Sequence, residues 1–121
     1  PHMKAKRRQK AQAIALGQMM GAVPDASVVI VNPTHYAVAL KWEGGAGTAP
    51  VCVAKGVDEV AAAIRKVANE NAVPIHSDPP TARALYATIE IGEEIHEEYY
   101  APVAAAIRFA EEMRERAKGG I

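Results

Sequence analysis

Four residues, Asn32-Pro33-Thr34-His35, separate two apolar runs and constrain the fold more than any other stretch of the sequence. The first run covers residues 27–31 and the second covers residues 36–40. Both have the length and apolar composition of strands. Asparagine favours the first position of a type I turn, and proline favours the second. The sequence therefore predicts two strands joined by a tight polar turn.

The Asn32–Pro33 bond also has a distinctive chemistry. Asparagine usually degrades when the next backbone nitrogen attacks its side chain, but Pro33 has no N–H group. The remaining route is attack by the Asn32 side-chain nitrogen on its own backbone carbonyl, which forms a succinimide and expels the Pro33 nitrogen. His35 is the natural proton carrier for this step, and Thr34 either donates a hydrogen bond or holds the turn. Most Asn-Pro dipeptides are plain turns, so an uncut structural turn is the alternative.

Several further blocks of sequence accompany this motif in a recognisable order. They are Ala54-Lys55-Gly56, Val73-Pro74-Ile75, the run at residues 79–86 and Gly92-Glu93-Glu94-Ile95. Together with the motif, these blocks resemble the FlhB/YscU/SpaS family, the cytoplasmic domains of export-switch proteins in bacterial flagella and type III secretion systems. The resemblance runs from about Lys4 to the last predicted helix.

The resemblance implies both an activity and a setting. Members of the family cleave themselves between the Asn and the Pro of the motif, which would place the cut between Asn32 and Pro33. Cleavage would switch export from early rod, hook or needle subunits to late ones. The implied partners are other export-gate membrane proteins, the hook- or needle-length ruler protein, and export substrates with their chaperones. The implied location is the cytoplasmic face of the bacterial inner membrane, with a membrane anchor upstream. Resemblance favours the flagellar branch over the injectisome branch.

Composition agrees with one small domain and argues against several other functions. The chain has 121 residues, half of them hydrophobic, and a net charge of zero, which argues against binding of nucleic acid or anionic lipid by the protein as a whole. The only cysteine, Cys52, lies in an apolar run and is expected to be a buried, unreactive thiol. No stretch has the length of a membrane span. The scattered histidines lack metal-ligand spacing, so we expect no metal and no cofactor; they are His2, His35, His76 and His96.

The chain divides into four segments. Residues 1–3 are typical of a cloning remnant, and residues 4–24 form a basic helical linker of the kind found next to membranes. Residues 25–118 form the autocleaving domain, and residues 119–121 are a frayed tail. The predicted fold is α/β, a small mixed sheet of four strands surrounded by about four helices.

Within that domain, the sequence predicts a third strand over residues 51–54 and a helix over residues 58–70. A short fourth strand over residues 73–76 should form a parallel pair across a right-handed crossover. A helix near residues 81–88 and a last helix over residues 99–118 complete the set, with Ser77 and Asp78 as capping candidates. Residues 41–43 finish the second strand.

Lys55 is the remaining candidate. It follows the predicted third strand, where functional side chains collect, and the family resemblance marks it as a neighbour of the motif. A solvated lysine is the equal alternative. Two rival functions also stay open: a protein-docking domain whose turn is only structural, and a nucleic-acid binder that uses the basic arm at residues 4–10.

Overall fold

A computed structural model describes residues 15–33 and 35–119 of the chain. It contains a four-stranded mixed sheet with helices on both faces, as the sequence predicts. The elements in chain order are helix α1 over residues 15–22, a 3-10 turn at Val23–Asp25, strands β1 (Val28–Asn32), β2 (Tyr36–Lys41) and β3 (Val51–Val57), helix α2 (Asp58–Glu70), strand β4 (Ile75–Ser77), helix α3 (Pro79–Thr88), a second 3-10 turn at Glu97–Tyr99, and helix α4 (Tyr100–Gly119).

The sheet has the spatial order β3-β2-β1-β4. β1 pairs with β2 as an antiparallel hairpin in which Asn32 faces Tyr36, and β2 pairs antiparallel with β3. β4 lies at the edge and pairs parallel with β1. The strands that carry the Asn-Pro motif are therefore the two central strands of the sheet.

Each face of the sheet contributes to a separate hydrophobic core. Alternate residues of a strand point to opposite faces, and both faces of this sheet are covered by helices. This explains why β1 and β2 read as continuous apolar runs. One cluster joins the sheet to α3 and α4 and includes Val28, Ile30, Val38, Leu40, Cys52, Leu85, Val103 and Ile107. The other joins it to α2 and the first 3-10 turn and includes Val23, Val29, Val31, Ala37, Ala54, Ala61, Ile64 and Ala68.

Gly56 sets how closely α2 approaches the sheet. A Cβ atom at this position would lie 2.8 Å from the Cβ of Val60 and 3.1 Å from its backbone carbonyl carbon. Since real Cβ atoms essentially never lie closer than 3.0 Å to another heavy atom, a residue larger than glycine would force Val60 and the first turn of α2 to shift away from the end of β3. The close packing fixes where α2 begins.

Four sequence predictions are corrected by the structure. β3 does not end at residue 54 but continues to Val57, because Lys55 and Gly56 keep its in-and-out alternation. The predicted strand at residues 73–76 begins only at Ile75, and β2 ends at Lys41 instead of including residues 42 and 43. β3 and β4 run in the same direction, but they lie at opposite edges, so the parallel pair is β1 and β4.

Other predictions hold. α2 spans the predicted residues, and Asp78 caps α3 because its carboxylate accepts a hydrogen bond from the Thr81 N–H. Cys52 is fully buried. Met19 and Met20 pack against the α2-side cluster, so the described part of the linker contacts the domain. The basic run at residues 4–10 lies outside the described residues, and the division of the chain at residues 24 and 25 stays a prediction.

Candidate functional site

The Asn-Pro motif lies in the turn between β1 and β2. The His35 N–H donates a hydrogen bond to the Asn32 carbonyl oxygen at 2.9 Å, which closes a four-residue β-turn, as the sequence predicts. Asn32 is the last residue of β1 and is half-buried, whereas Pro33 and His35 are exposed. Pro33 therefore projects from the end of a rigid central hairpin into solvent.

This turn hydrogen bond contacts the atom that the predicted chemistry needs. The Asn32 carbonyl is the group that the Asn32 side chain would attack, and negative charge would develop on its oxygen. A backbone N–H donor already directed at that oxygen stabilises such charge. The turn thus polarises the Asn32 carbonyl.

Helix α2 holds the far side of the turn. The Asp58 N–H donates a hydrogen bond to the His35 carbonyl oxygen at 2.9 Å, although the two residues are far apart in sequence. The Asp58 carboxylate Oδ1 lies 3.7 Å from His35 Nδ1, and the two side chains are 71 % and 62 % exposed. Asp58 has a backbone φ of 50°, which is uncommon for a residue other than glycine. The histidine of the motif is thus tied to the first residue of a helix.

An aromatic contact connects the end of the turn to α3. The Tyr36 ring lies 5.0 Å from the Tyr86 ring, centroid to centroid. Lys55 Nζ donates a hydrogen bond to the Tyr86 carbonyl oxygen at 3.1 Å and lies 5.2 Å from the centre of the Tyr86 ring. Lys55 is therefore half-buried on β3 and not at a strand exit, and its contacts lead to the motif through Tyr86 and Tyr36.

The predicted site residues are thus brought together only in part. Asn32, Pro33 and His35 share one turn, and Lys55 contacts Tyr86 on helix α3. Thr34 lies outside the described residues. Sequence reasoning missed Asp58 as a neighbour of His35. The available signal was an acidic residue at the start of a helix that begins two residues after Gly56.

A second feature is an apolar groove of about 370 Å³ beside α4. Exposed aromatic side chains and buried aliphatic ones line it, together with Arg108 and Glu111. The apolar residues include Trp42, Pro50, Ile95, Tyr100, Val103 and Ile107. The groove begins in the loop that joins β2 to β3, at the opposite end of β2 from the Asn-Pro turn.

Within residues 15–33 and 35–119, no three His, Cys, Asp or Glu side chains lie close enough to hold a metal ion. In the same two ranges, no helix has both the length and the apolar character that crossing a membrane requires.

Comparison with known proteins shows extensive similarity to one family. The model of the FlhB HrpN YscU SpaS family matches residues 1–110. The flagellar biosynthetic protein FlhB of Escherichia coli K12 is 44 % identical over 121 residues, which cover 99 % of this chain and 32 % of the relative. FlhB of Bacillus subtilis 168 is 40 % identical over 116 residues, covering 96 % of this chain and 32 % of the relative. The chain thus spans about a third of the length of these curated relatives.

Solved structures show the same fold. The cytoplasmic domain of FlhB from Shewanella putrefaciens matches with a TM-score of 0.80 and 42 % identity, covering 86 % of this chain and 80 % of that one. A mutated EscU C-terminal domain matches with a TM-score of 0.73 and 34 % identity, covering 78 % of this chain and 94 % of that one. Similar EscU structures carry substitutions at one asparagine, at the proline after it, and at a histidine two residues beyond that proline.

Proposed function

The chain belongs to the FlhB HrpN YscU SpaS family, and we propose that it is the cytoplasmic domain of a flagellar protein-export component that cleaves itself between Asn32 and Pro33. The observation that carries this proposal is the hydrogen bond from the His35 N–H to the Asn32 carbonyl oxygen. This hydrogen bond polarises the Asn32 carbonyl, which is the only carbonyl of the motif that is bonded to a proline nitrogen. That nitrogen would be the leaving group.

The reaction is an intramolecular displacement. The Asn32 side-chain nitrogen Nδ2 attacks the Asn32 carbonyl carbon and loses a proton, and the bond from that carbon to the Pro33 nitrogen breaks. The Pro33 nitrogen takes up a proton and becomes a new amino terminus. His35 carries the proton between the two nitrogens, directly or through water. One fragment then ends in a succinimide, which water later opens.

This chemistry is a single turnover and not enzymatic catalysis of a separate substrate. The Asn32 side chain is consumed in the first reaction, so no group remains to repeat it. The spacing of the substituted residues in the EscU structures supports the assignment, because it is the spacing of Asn32, Pro33 and His35 in this chain. Thr34 holds the turn or donates a hydrogen bond within it.

The cut changes the surface at Pro33 and His35 while the two pieces stay together. β1 and β2 remain paired, and both cores are shared by the pieces. We propose that the export apparatus responds to this new surface by switching from early rod and hook subunits to late filament subunits. The partners are other export-gate proteins, the ruler protein and export substrates, at the cytoplasmic face of the inner membrane.

A second candidate function is that of a docking domain whose turn stays intact. The apolar groove beside α4 favours it, because exposed Trp42 and Tyr100 flank a concave apolar surface that fits a short apolar segment of a partner chain. This function needs no chemistry at the motif, so it predicts a single intact chain.

An intact-mass spectrum under denaturing conditions separates the two functions. After incubation at neutral pH, we expect two species, residues 1–32 and 33–121. Their masses add up to the mass of the whole chain while the succinimide is closed, and exceed it by the mass of one water molecule once the succinimide has opened. The Asn32→Ala variant should stay whole over days, and the matched Asn69→Ala variant on exposed α2 surface should be cut like the original chain. A single full-length mass for the original chain would favour the docking domain.

A further inference from the structure

Asp58 contacts the histidine of the motif with both its backbone and its side chain. Its N–H holds the His35 carbonyl oxygen at 2.9 Å, and its Oδ1 lies 3.7 Å from His35 Nδ1. From this pair of contacts we infer that Asp58 is a positioning residue for His35 in the cleavage reaction, an inference that rests on the function proposed above.

The backbone contact holds the residue whose N–H polarises the Asn32 carbonyl, His35, by its own carbonyl group. His35 donates its N–H to the Asn32 oxygen and accepts from the Asp58 N–H at its own carbonyl. The two hydrogen bonds run in series from the first residue of α2 to the carbonyl under attack. Because Gly56 holds α2 against β3, this chain of contacts starts from a fixed point.

Asp58 has an unusual backbone conformation at this contact. Its φ of 50° lies in the left-handed region, where Asp and Asn are enriched among residues other than glycine. Unusual backbone of this kind persists where the surroundings determine it, and it clusters at functional sites. Here it points the Asp58 N–H and carboxylate toward the same residue.

The carboxylate has a specific effect on the imidazole. A carboxylate next to Nδ1 favours the proton on Nδ1, which leaves Nε2 as the basic nitrogen that can accept a proton from the Asn32 side chain. The distance of 3.7 Å exceeds a hydrogen bond, but contacts of this kind shorten when the histidine becomes charged during catalysis. Asp58 therefore acts through His35 and touches neither reacting bond.

A competing explanation is that an acidic residue simply stabilises the start of a helix. Glu59 provides the matched control, since it is exposed, has the same charge and lies next to Asp58 in the first turn of α2. A general effect of charge at this helix end would appear equally in Glu59→Gln. An effect through His35 would not.

The first experiment measures cleavage rates by intact mass. Asp58→Asn keeps the backbone N–H and tolerates a positive φ but removes the charge. For an exposed pair we expect cleavage about two- to fivefold slower, while Glu59→Gln cleaves at the original rate. In a His35→Ala background, Asp58→Asn should have no effect. Equal slowing in both backgrounds, or no slowing in the original one, would overturn the assignment.

The second experiment does not depend on cleavage. In the Asn32→Ala variant, which stays whole, ¹⁵N chemical shifts of the His35 ring at about pH 8.5 report which nitrogen carries the proton in a neutral imidazole. We expect Asp58→Asn to shift the population away from the Nδ1–H form and Glu59→Gln to leave it unchanged. Unchanged His35 shifts in Asp58→Asn would refute the positioning role whether or not the original chain cleaves. An uncut original chain with shifted His35 signals would refute only the proposed cleavage.

Discussion

Two connections join the consecutive antiparallel strands β1, β2 and β3, and they are held in place by different contacts. The turn between β1 and β2 has three residues between its register partners and is held from outside, by the Asp58 N–H on α2. The connection between β2 and β3 spans residues 42–50. Neighbouring segments hold its two ends, since the Trp42 N–H donates to Ser27 Oγ and the Ala49 N–H donates to Glu94 Oε2, both at 3.0 Å, whereas its middle is held from inside. Trp42 Nε1 donates to Thr48 Oγ1 at 3.1 Å, and that hydroxyl lies 2.7 Å from the Gly45 carbonyl oxygen. Three of its glycines have positive φ, namely Gly44, Gly45 and Gly47.

The two ways of holding a connection suit different functions, namely a chemical reaction and an apolar binding surface. A reaction that needs one atom over another within a few tenths of an ångström gains from anchoring to a separate, rigid element. A surface that only needs a concave apolar form can be built by a loop that folds on itself. If the proposed cleavage occurs, the Asn-Pro turn corresponds to the first case, and the groove end of the β2–β3 loop corresponds to the second.

Pro33→Ala should have the largest effect, because it breaks the chemistry of the anchored turn. An alanine N–H opens the competing deamidation route, and the loss of the ring loosens the geometry, so we expect cleavage about 100-fold slower. Intact mass should show full-length chain in which the Asn32 amide has become a carboxylate. The matched Pro80→Ala variant, at the exposed start of α3, should cleave normally. Unchanged kinetics in Pro33→Ala would show that the proline is not needed.

Gly56→Ala tests the anchor itself. The added methyl collides with Val60 and pushes α2 away from the sheet. We expect the free energy of unfolding to fall by about 2 kcal/mol, measured by urea denaturation in the uncut Asn32→Ala background. Cleavage should also slow in the background that retains Asn32. Gly21→Ala, where a Cβ meets nothing within 4 Å, should not destabilise the domain. Equal stability of both variants would contradict the close packing of α2.

His35→Ala removes the proton carrier while the turn hydrogen bond from the backbone of residue 35 remains. For an exposed side chain we expect cleavage about tenfold slower, with a different dependence on pH. The comparison is a series of rates between about pH 6 and pH 9, with His96→Ala as the exposed control. Equal rates at every pH would make the role of His35 structural.

Thr48→Val tests the internally held loop. It removes the hydroxyl that accepts from Trp42 and contacts the Gly44 and Gly45 carbonyl oxygens. We expect a loss of about 1 kcal/mol in the free energy of unfolding and no change in cleavage rate. Slower cleavage in this variant would show that the β2–β3 loop also supports the geometry of the Asn-Pro turn.

Cys52 lies on β3, and its ionisation should have the smallest effect of the series on the free energy of unfolding. Burial raises the pKa of its thiol from 9.0 to about 11, and nearby Lys55 opposes the shift. Because the folded state keeps the proton more tightly, its contribution is fully present below pH 9 and is lost as the pH rises toward 11. Up to about pH 9.5 the loss in the free energy of unfolding should stay below about 1 kcal/mol, and it should vanish in Cys52→Ala. A pH dependence that persists in Cys52→Ala would assign it to another group.

The local parts of this fold could be predicted from sequence, and the non-local parts could not. The Asn32–His35 turn, the limits of α2 and the Asp78 cap each follow from residues within a few positions of one another. The pairing of β4 with β1 depends on which strand edge is free after the hairpin forms, and no residue of β4 encodes that choice. The sequence places Lys55 after the end of the strand because the residue is charged. The aliphatic part of a lysine side chain can nevertheless lie along a buried surface, which allows Lys55 to continue β3.

The candidate site divides in the same way. Asn32, Pro33 and His35 were predicted because the chemistry requires adjacent residues. Asp58 was missed because its contact with His35 depends on a backbone φ of 50° and on the close approach of α2, neither of which is visible in residue order.

The central position of β1 in the sheet determines how the two pieces produced by the proposed cleavage would be held together. Among the described residues, the piece that ends at Asn32 supplies α1, a 3-10 turn and β1, and β1 lies between β2 and β4 of the other piece. The cut domain is then a heterodimer, and its melting temperature depends on protein concentration, whereas that of the uncut chain does not. Dilution becomes a way to take it apart, and a peptide with the sequence of residues 15–32 becomes a competitor for the slot between β2 and β4.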